Sequence, residues 1–175
     1  MRKLLFLSML SLLVISCNSN EKTEGDATPK KDDGATLYDQ NLAVVKTVTT
    51  DFANKNLTDF FSNVADSVVW NSPVYGDDVH TKAHWMESLK YWTDNWDSLH
   101  LVDANFLPGL DSATHTIDGS VRYYGRWDGV HKATGIHTHV QIYETYEFNK
   151  EHKIINDAQY FDVGGLMNAV QPKAK

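Results

Sequence analysis

The chain has 175 residues, 42% of them hydrophobic, which suits one domain with one sizeable core once an N-terminal leader is set aside. A formal net charge of -7 without any clustered Lys/Arg stripe repels phosphate backbones, so nucleic acid is excluded as a partner class. The single cysteine, Cys17, excludes an intramolecular disulfide and any cysteine-based metal site.

Met1-Arg2-Lys3 supplies a positive start, and Leu4 to Ile15 is an apolar run of 12 residues, too short to span a bilayer and suited to a signal peptide. The run closes in Val14-Ile15-Ser16-Cys17, which resembles a bacterial lipobox, with Cys17 as the lipidated N-terminus. From Asn18 to Ala35 the residues are polar or small, with too little apolar surface to offset their ordering entropy. The expected organisation is a signal peptide over 1–16, a lipidated cysteine and flexible tether over 17–35, one domain over 36–168 and a tail over 169–175. The expected address is an exported protein, lipid-anchored to a bacterial membrane and facing the periplasm or the cell surface.

Within the domain, Tyr38, Leu42, Val45 and Phe52 fall near helical spacing and predict a helix from about Leu37 to Asn54. Asn56 is placed to cap a short second helix carrying Leu57, Phe60, Phe61 and Val64, which Asp66-Ser67 should break. Val68-Val69-Trp70 reads as a strand ending at Ser72-Pro73. After a turn at Tyr75-Gly76-Asp77-Asp78, Thr81 should cap a third helix reaching about Asp97, with Trp85, Leu89, Trp92 and Trp96 as its apolar stripe. Strands follow over Leu99 to Phe106 and, past Pro108-Gly109, over Thr116 to Trp127, where Ile117, Val121, Tyr123 and Trp127 share one face. Trp127-Asp128-Gly129 should open a loop that returns through Gly135.

Ile136 to Asp162 reads as a long hairpin. Ile136, Val140, Ile142, Tyr146 and Phe148 alternate along its first half, and Asn149–His152 is the polar break before Lys153–Asp162. Glu144 falls on the same apolar face, where a carboxylate is costly unless paired, hydrogen-bonded or protonated. Three helices interrupted by one strand, then four antiparallel strands, make an α+β arrangement in which a curved antiparallel sheet packs against helices around a cone-shaped pocket.

These residues resemble the nuclear transport factor 2-like superfamily, which includes ketosteroid isomerases and SnoaL-like polyketide cyclases. The resemblance spans Leu37 to Gly165 and rests on Val68-Val69-Trp70-Asn71-Ser72-Pro73 ahead of the third helix, on Trp127-Asp128-Gly129, and on Tyr146-Glu147-Phe148 with Lys153-Ile154 and Tyr160-Phe161-Asp162. It implies an internal pocket and a homodimer through the outer face of the sheet. It matches Glu144 to the pocket acid that stays protonated in ketosteroid isomerases. It matches Ser72 to their general base and sets their oxyanion-hole tyrosine near Val48, so two of three catalytic positions are replaced. Phe161 matches a pocket-wall aromatic, with Asp157 and Gln159 on the same face.

The leading expectation is a membrane-tethered protein that binds a small, largely apolar or aromatic ligand among Trp70, Ser72, Tyr123, Trp127, Tyr146, Gln159 and Phe161. The alternatives are an isomerase, cyclase or dehydratase with Glu144 and Asp157 as acid and base, and a dimeric protein-interaction module. Two close carboxyls in an apolar cavity cannot both ionise cheaply, so one should keep its proton. The competing role for Glu144 is purely structural, hydrogen-bonded to Tyr123, Tyr146 or Gln159. His137 and His139 project to one side, but the alternation puts them on the outer face and no third ligand follows from the spacing, so no metal is expected. No phosphate-cradling loop or dinucleotide fingerprint occurs, and no cofactor is implied.

Overall fold

The computed structural model describes residues 33–172; the leader, Cys17 and the stretch to residue 32 lie outside the described residues, as do residues 173–175. The elements run α1 (Asp33–Ala53), α2 (Leu57–Ser62), β1 (Val64–Asn71), α3 (Lys82–Asn95), β2 (Trp96–Leu110), β3 (Ile117–His131), β4 (His137–Phe148), β5 (Ile154–Tyr160) and α4 (Val163–Ala169). The strands form one curved, unclosed sheet in the order β1-β5-β4-β3-β2. The expected α+β class holds. Its sheet is not wholly antiparallel, because β1 runs parallel to β5, with Trp70 opposite Asp157.

The helices cover the inner face. Helix α1 buries Asn41, Val45, Val48 and Thr49, a helical stripe laid against β3 and β2. It starts at Asp33, inside the stretch read as tether, because its first turns rest on β3. Asn41 Nδ2 donates to the Gly119 carbonyl at 2.8 Å, and a Cβ on Gly119 would lie 2.8 Å from that of Leu37. Helix α3 begins where Thr81 predicts, its hydroxyl accepting from His84 N–H at 3.2 Å. Asn56 does not cap α2; its side-chain amide donates to the Asp59 carboxylate instead.

Four boundaries differ from expectation. Asp66 and Ser67 lie within β1 rather than breaking a helix, since β1 starts at Val64, opposite Ile154. Trp96 leaves the helical stripe, turns to extended backbone and opens β2. Pro108 stays in β2, opposite Val121, which an edge strand tolerates because it needs no ladder N–H on its outer side. Asp128 and Gly129 continue β3, with Gly129 paired to Thr138, so the turn falls between His131 and His137. The helix α4 has no counterpart in the expected elements, and Val170, in the stretch read as tail, is buried.

Candidate functional site

Pairing across the sheet sets two inward rows side by side. Gln159 of β5, Glu144 of β4, Tyr123 of β3 and Phe106 of β2 stand opposite one another in one row. Trp70, Asp157, Tyr146 and Val121 make the next. The period-two expectation for β4 is met: Glu144 faces inward and is 4% exposed, while His137 and His139 are exposed on the outer face.

In the first row Tyr123 Oη donates to Glu144 Oε2 at 2.5 Å and Gln159 Nε2 donates to Oε1 at 2.7 Å. Trp127 Nε1 donates to Tyr123 Oη at 3.1 Å, which fixes the direction of the chain as Trp127 to Tyr123 to Glu144. Both carboxyl oxygens of Glu144 therefore act as acceptors. Burial, then the Glu144 charge, pushes the Tyr123 phenol well above its usual range, so it remains a donor. Tyr146 is raised for the same two leading reasons.

In the second row Asp157 is completely buried, and neither of its oxygens has a hydrogen-bond partner of good geometry among the described residues; nor does Trp70 Nε1. Burial pushes the Asp157 carboxyl well above the ordinary carboxylate range, and the neighbouring Glu144 charge adds to the rise; the indole N–H of Trp70 opposes it only weakly. Burial and the Glu144 charge thus both favour the protonated form of Asp157.

The cavity in front of the first row has a volume of about 90 Å³. Its walls include Phe52, Phe60, Trp92, Trp96, Tyr123, Trp127, Tyr146 and Phe161, eight aromatic residues, with Glu144 and Gln159 at the polar end. Phe52 meets Trp127 edge-on at 5.0 Å, and Trp92 meets Trp96 at 5.1 Å and Phe161 at 5.9 Å. The structure thus brings together Tyr123, Trp127, Glu144, Tyr146, Gln159 and Phe161. Three expected site residues lie elsewhere. Trp70 stacks on Trp85 at 6.3 Å in the core behind the cavity. Ser72 lies beyond the end of β1, where its hydroxyl accepts from Val74 N–H. Asp157 sits one row back and does not line the cavity.

The walls also contain residues missed in the sequence. Thr138 is buried on the inward face of β4, accepts from Trp96 Nε1 at 3.1 Å and donates to the Gly129 carbonyl, and so aims the Trp96 ring. The alternation through Ile136 and Val140 passes directly over it. Leu166 comes from the unexpected α4. On the outer face His139 Nδ1 and Arg126 Nε meet Asp128 Oδ1 at 2.9 and 2.8 Å, and Arg126 with His139 holds Asp128 down at about 2. Among the described residues no group of three His, Cys, Asp or Glu is arranged to hold a metal ion.

Neither a protein-family model nor a curated protein sequence matches the chain. Solved structures do. A candidate polyketide cyclase from Xanthomonas campestris superposes with a TM-score of 0.63 at 13% identity, over 77% of this chain and 99% of that one. A nuclear transport factor 2-like protein of unknown function from Burkholderia pseudomallei gives 0.60 at 13% identity, over 75% and 98%. A protein from Catenulispora acidiphila with a ketosteroid isomerase-like fold, solved in complex with trimethylamine, gives 0.54 at 11% identity, over 67% and 83%. With its curved five-stranded sheet, covering helices and inward pocket, the chain has the nuclear transport factor 2-like fold.

Proposed function

We propose that this protein is an exported, lipid-tethered binder of a small, largely apolar molecule, held in the aromatic cavity with its polar end at Glu144 and Gln159. The observation that carries the reading is the cavity itself: eight aromatic walls converge on one hydrogen-bonded carboxyl. Its size limits the ligand. At about 90 Å³, and not closed off from solvent, the space suits a compact group such as a single ring. The trimethylamine bound by the Catenulispora protein is a ligand of this compact kind. The tether rests on the sequence Met1 to Cys17.

Filling the cavity tests the reading. Val140→Trp, on a half-buried lining position of β4, should keep the fold and abolish calorimetric binding of benzyl alcohol. Undiminished binding by a folded Val140→Trp protein would place the site elsewhere.

A second reading, an isomerase, cyclase or dehydratase, is favoured by one feature. The Glu144 carboxyl stands at the cavity wall, where it could accept a substrate proton. Asp157, lying behind the wall, would then act only through Glu144. The expected partner for the outer face is a second copy of the chain, supported by the stack of exposed Tyr124 and Tyr160 on either side of half-buried Tyr143, with centroids 4.6 and 5.7 Å apart. Tyr143→Glu should then lower the sedimentation coefficient, and a monomeric parent would remove that expectation.

A further inference from the structure

The charges around the cavity do not balance. Glu144 is 4% exposed, and the donors that reach it, among them the Tyr123 phenol and the Gln159 amide, are neutral. None of the lining residues is Lys, Arg or His. Asp128, on the outer face, shows the contrast: it is answered by Arg126 and His139. Behind Glu144 lies a second carboxyl, Asp157, rather than a cation. Buried carboxylates are ordinarily matched by a positive group, because removing one from water is costly and neutral donors recover only part of that cost.

The rest of the wall is suited to the missing partner. Aromatic faces carry negative potential and attract a cation within about 6 Å of the ring centroid, most strongly where water is excluded. Trp92, Trp96, Trp127 and Phe161 stand around one small space, with Trp92 tilted against Trp96 and edge-on to Phe161. An inorganic cation would leave these apolar rings without contact. A cation carrying methyl or short alkyl groups meets both the rings and the carboxylate.

We propose that the cavity takes a compact alkylammonium cation, with Glu144 as its counter-ion and Trp92, Trp96, Trp127 and Phe161 as its cage. This rests on the cavity being a ligand site, and it names the charge and class of the ligand. Selectivity follows from the pairing. A neutral molecule of the same shape fills the same space but leaves Glu144 unmatched. An anion meets a like charge with no basic residue to offset it.

The test compares tetramethylammonium chloride with its neutral counterpart tert-butanol, by calorimetric titration of the full mature protein and of Glu144→Gln. The parent should bind the cation at least tenfold more tightly than the alcohol. Glu144→Gln, shown to be folded by an unchanged far-ultraviolet circular dichroism spectrum and cooperative melting, should lose most of that preference. Equal affinities in the parent, tighter binding of the alcohol, or an unchanged preference in Glu144→Gln would overturn the cation assignment and leave the ligand site standing. Binding of neither compound would overturn both.

Discussion

Asp157→Asn should flatten the dependence of stability on pH, with a gain that grows as pH rises. Asp157 is completely buried, has no hydrogen-bond partner of good geometry among the described residues, and is held well above the usual carboxylate range, first by burial and then by the Glu144 charge. In the unfolded chain the same group ionises near 3.8. Between that pH and its folded value the native state binds one more proton than the unfolded state. Stability is therefore fully present below the unfolded value and is lost as pH rises toward the folded one, at up to about 1.4 kcal/mol per pH unit. Asparagine nearly matches the protonated acid in shape and cannot ionise. At pH 4 the two proteins should agree within about 1 kcal/mol, and the variant should move steadily ahead as pH rises toward 7, never faster than the full slope of about 1.4 kcal/mol per unit. Urea unfolding followed by far-ultraviolet circular dichroism at pH 4, 5.5 and 7 reads this as a widening gap in midpoint at constant m. Parallel profiles would mean that Asp157 ionises alike in the folded and unfolded chain, and an asparagine variant that loses ground at pH 7 would mean that Asp157 is ionised and paired in the native state.

Tyr123→Phe should cost about 2–4 kcal/mol in the same unfolding assay, because it removes a donor from Glu144 and strands the Trp127 N–H; a loss below about 0.5 kcal/mol would show that the network carries little stability. Cys17→Ala should move the protein from the membrane fraction to the aqueous phase on detergent partitioning, since stable anchoring needs the acyl chains that a lipobox cysteine would carry. Retention in the membrane fraction would remove the lipoprotein reading.

What could be read from the residues followed from local periodicity. The alternation along β4 set Glu144 inward and His137 and His139 outward, and Thr81 marked the start of α3, because each is decided by nearest neighbours in the chain. What could not be read depends on pairing at a distance. Nothing near Val64 shows that it lies opposite Ile154 in a parallel ladder, so Asp66 and Ser67 looked like a break. Trp70 shares a strand with no cavity residue and is drawn into the core by Trp85, a contact no spacing reveals. Gly129 suggested a turn, yet it is the pairing with Thr138 that keeps it in strand. The polar chain from Trp127 through Tyr123 to Glu144 was legible only as a set of possible partners, since its order depends on which strands lie side by side.

The central claim is that the space in front of Glu144 receives the ligand, and the five tryptophans provide its internal control. Trp92, Trp96 and Trp127 line the cavity, whereas Trp70 and Trp85 stack in the core, 1% and 0% exposed. The indole N–H resonances of the ¹⁵N-labelled protein should be followed during titration with benzyl alcohol. The signals of Trp92, Trp96 and Trp127 should move together to one saturating curve while those of Trp70 and Trp85 stay in place. Static cavity signals at saturation, or equal movement of Trp70 and Trp85, would contradict the assignment of this space as the binding site.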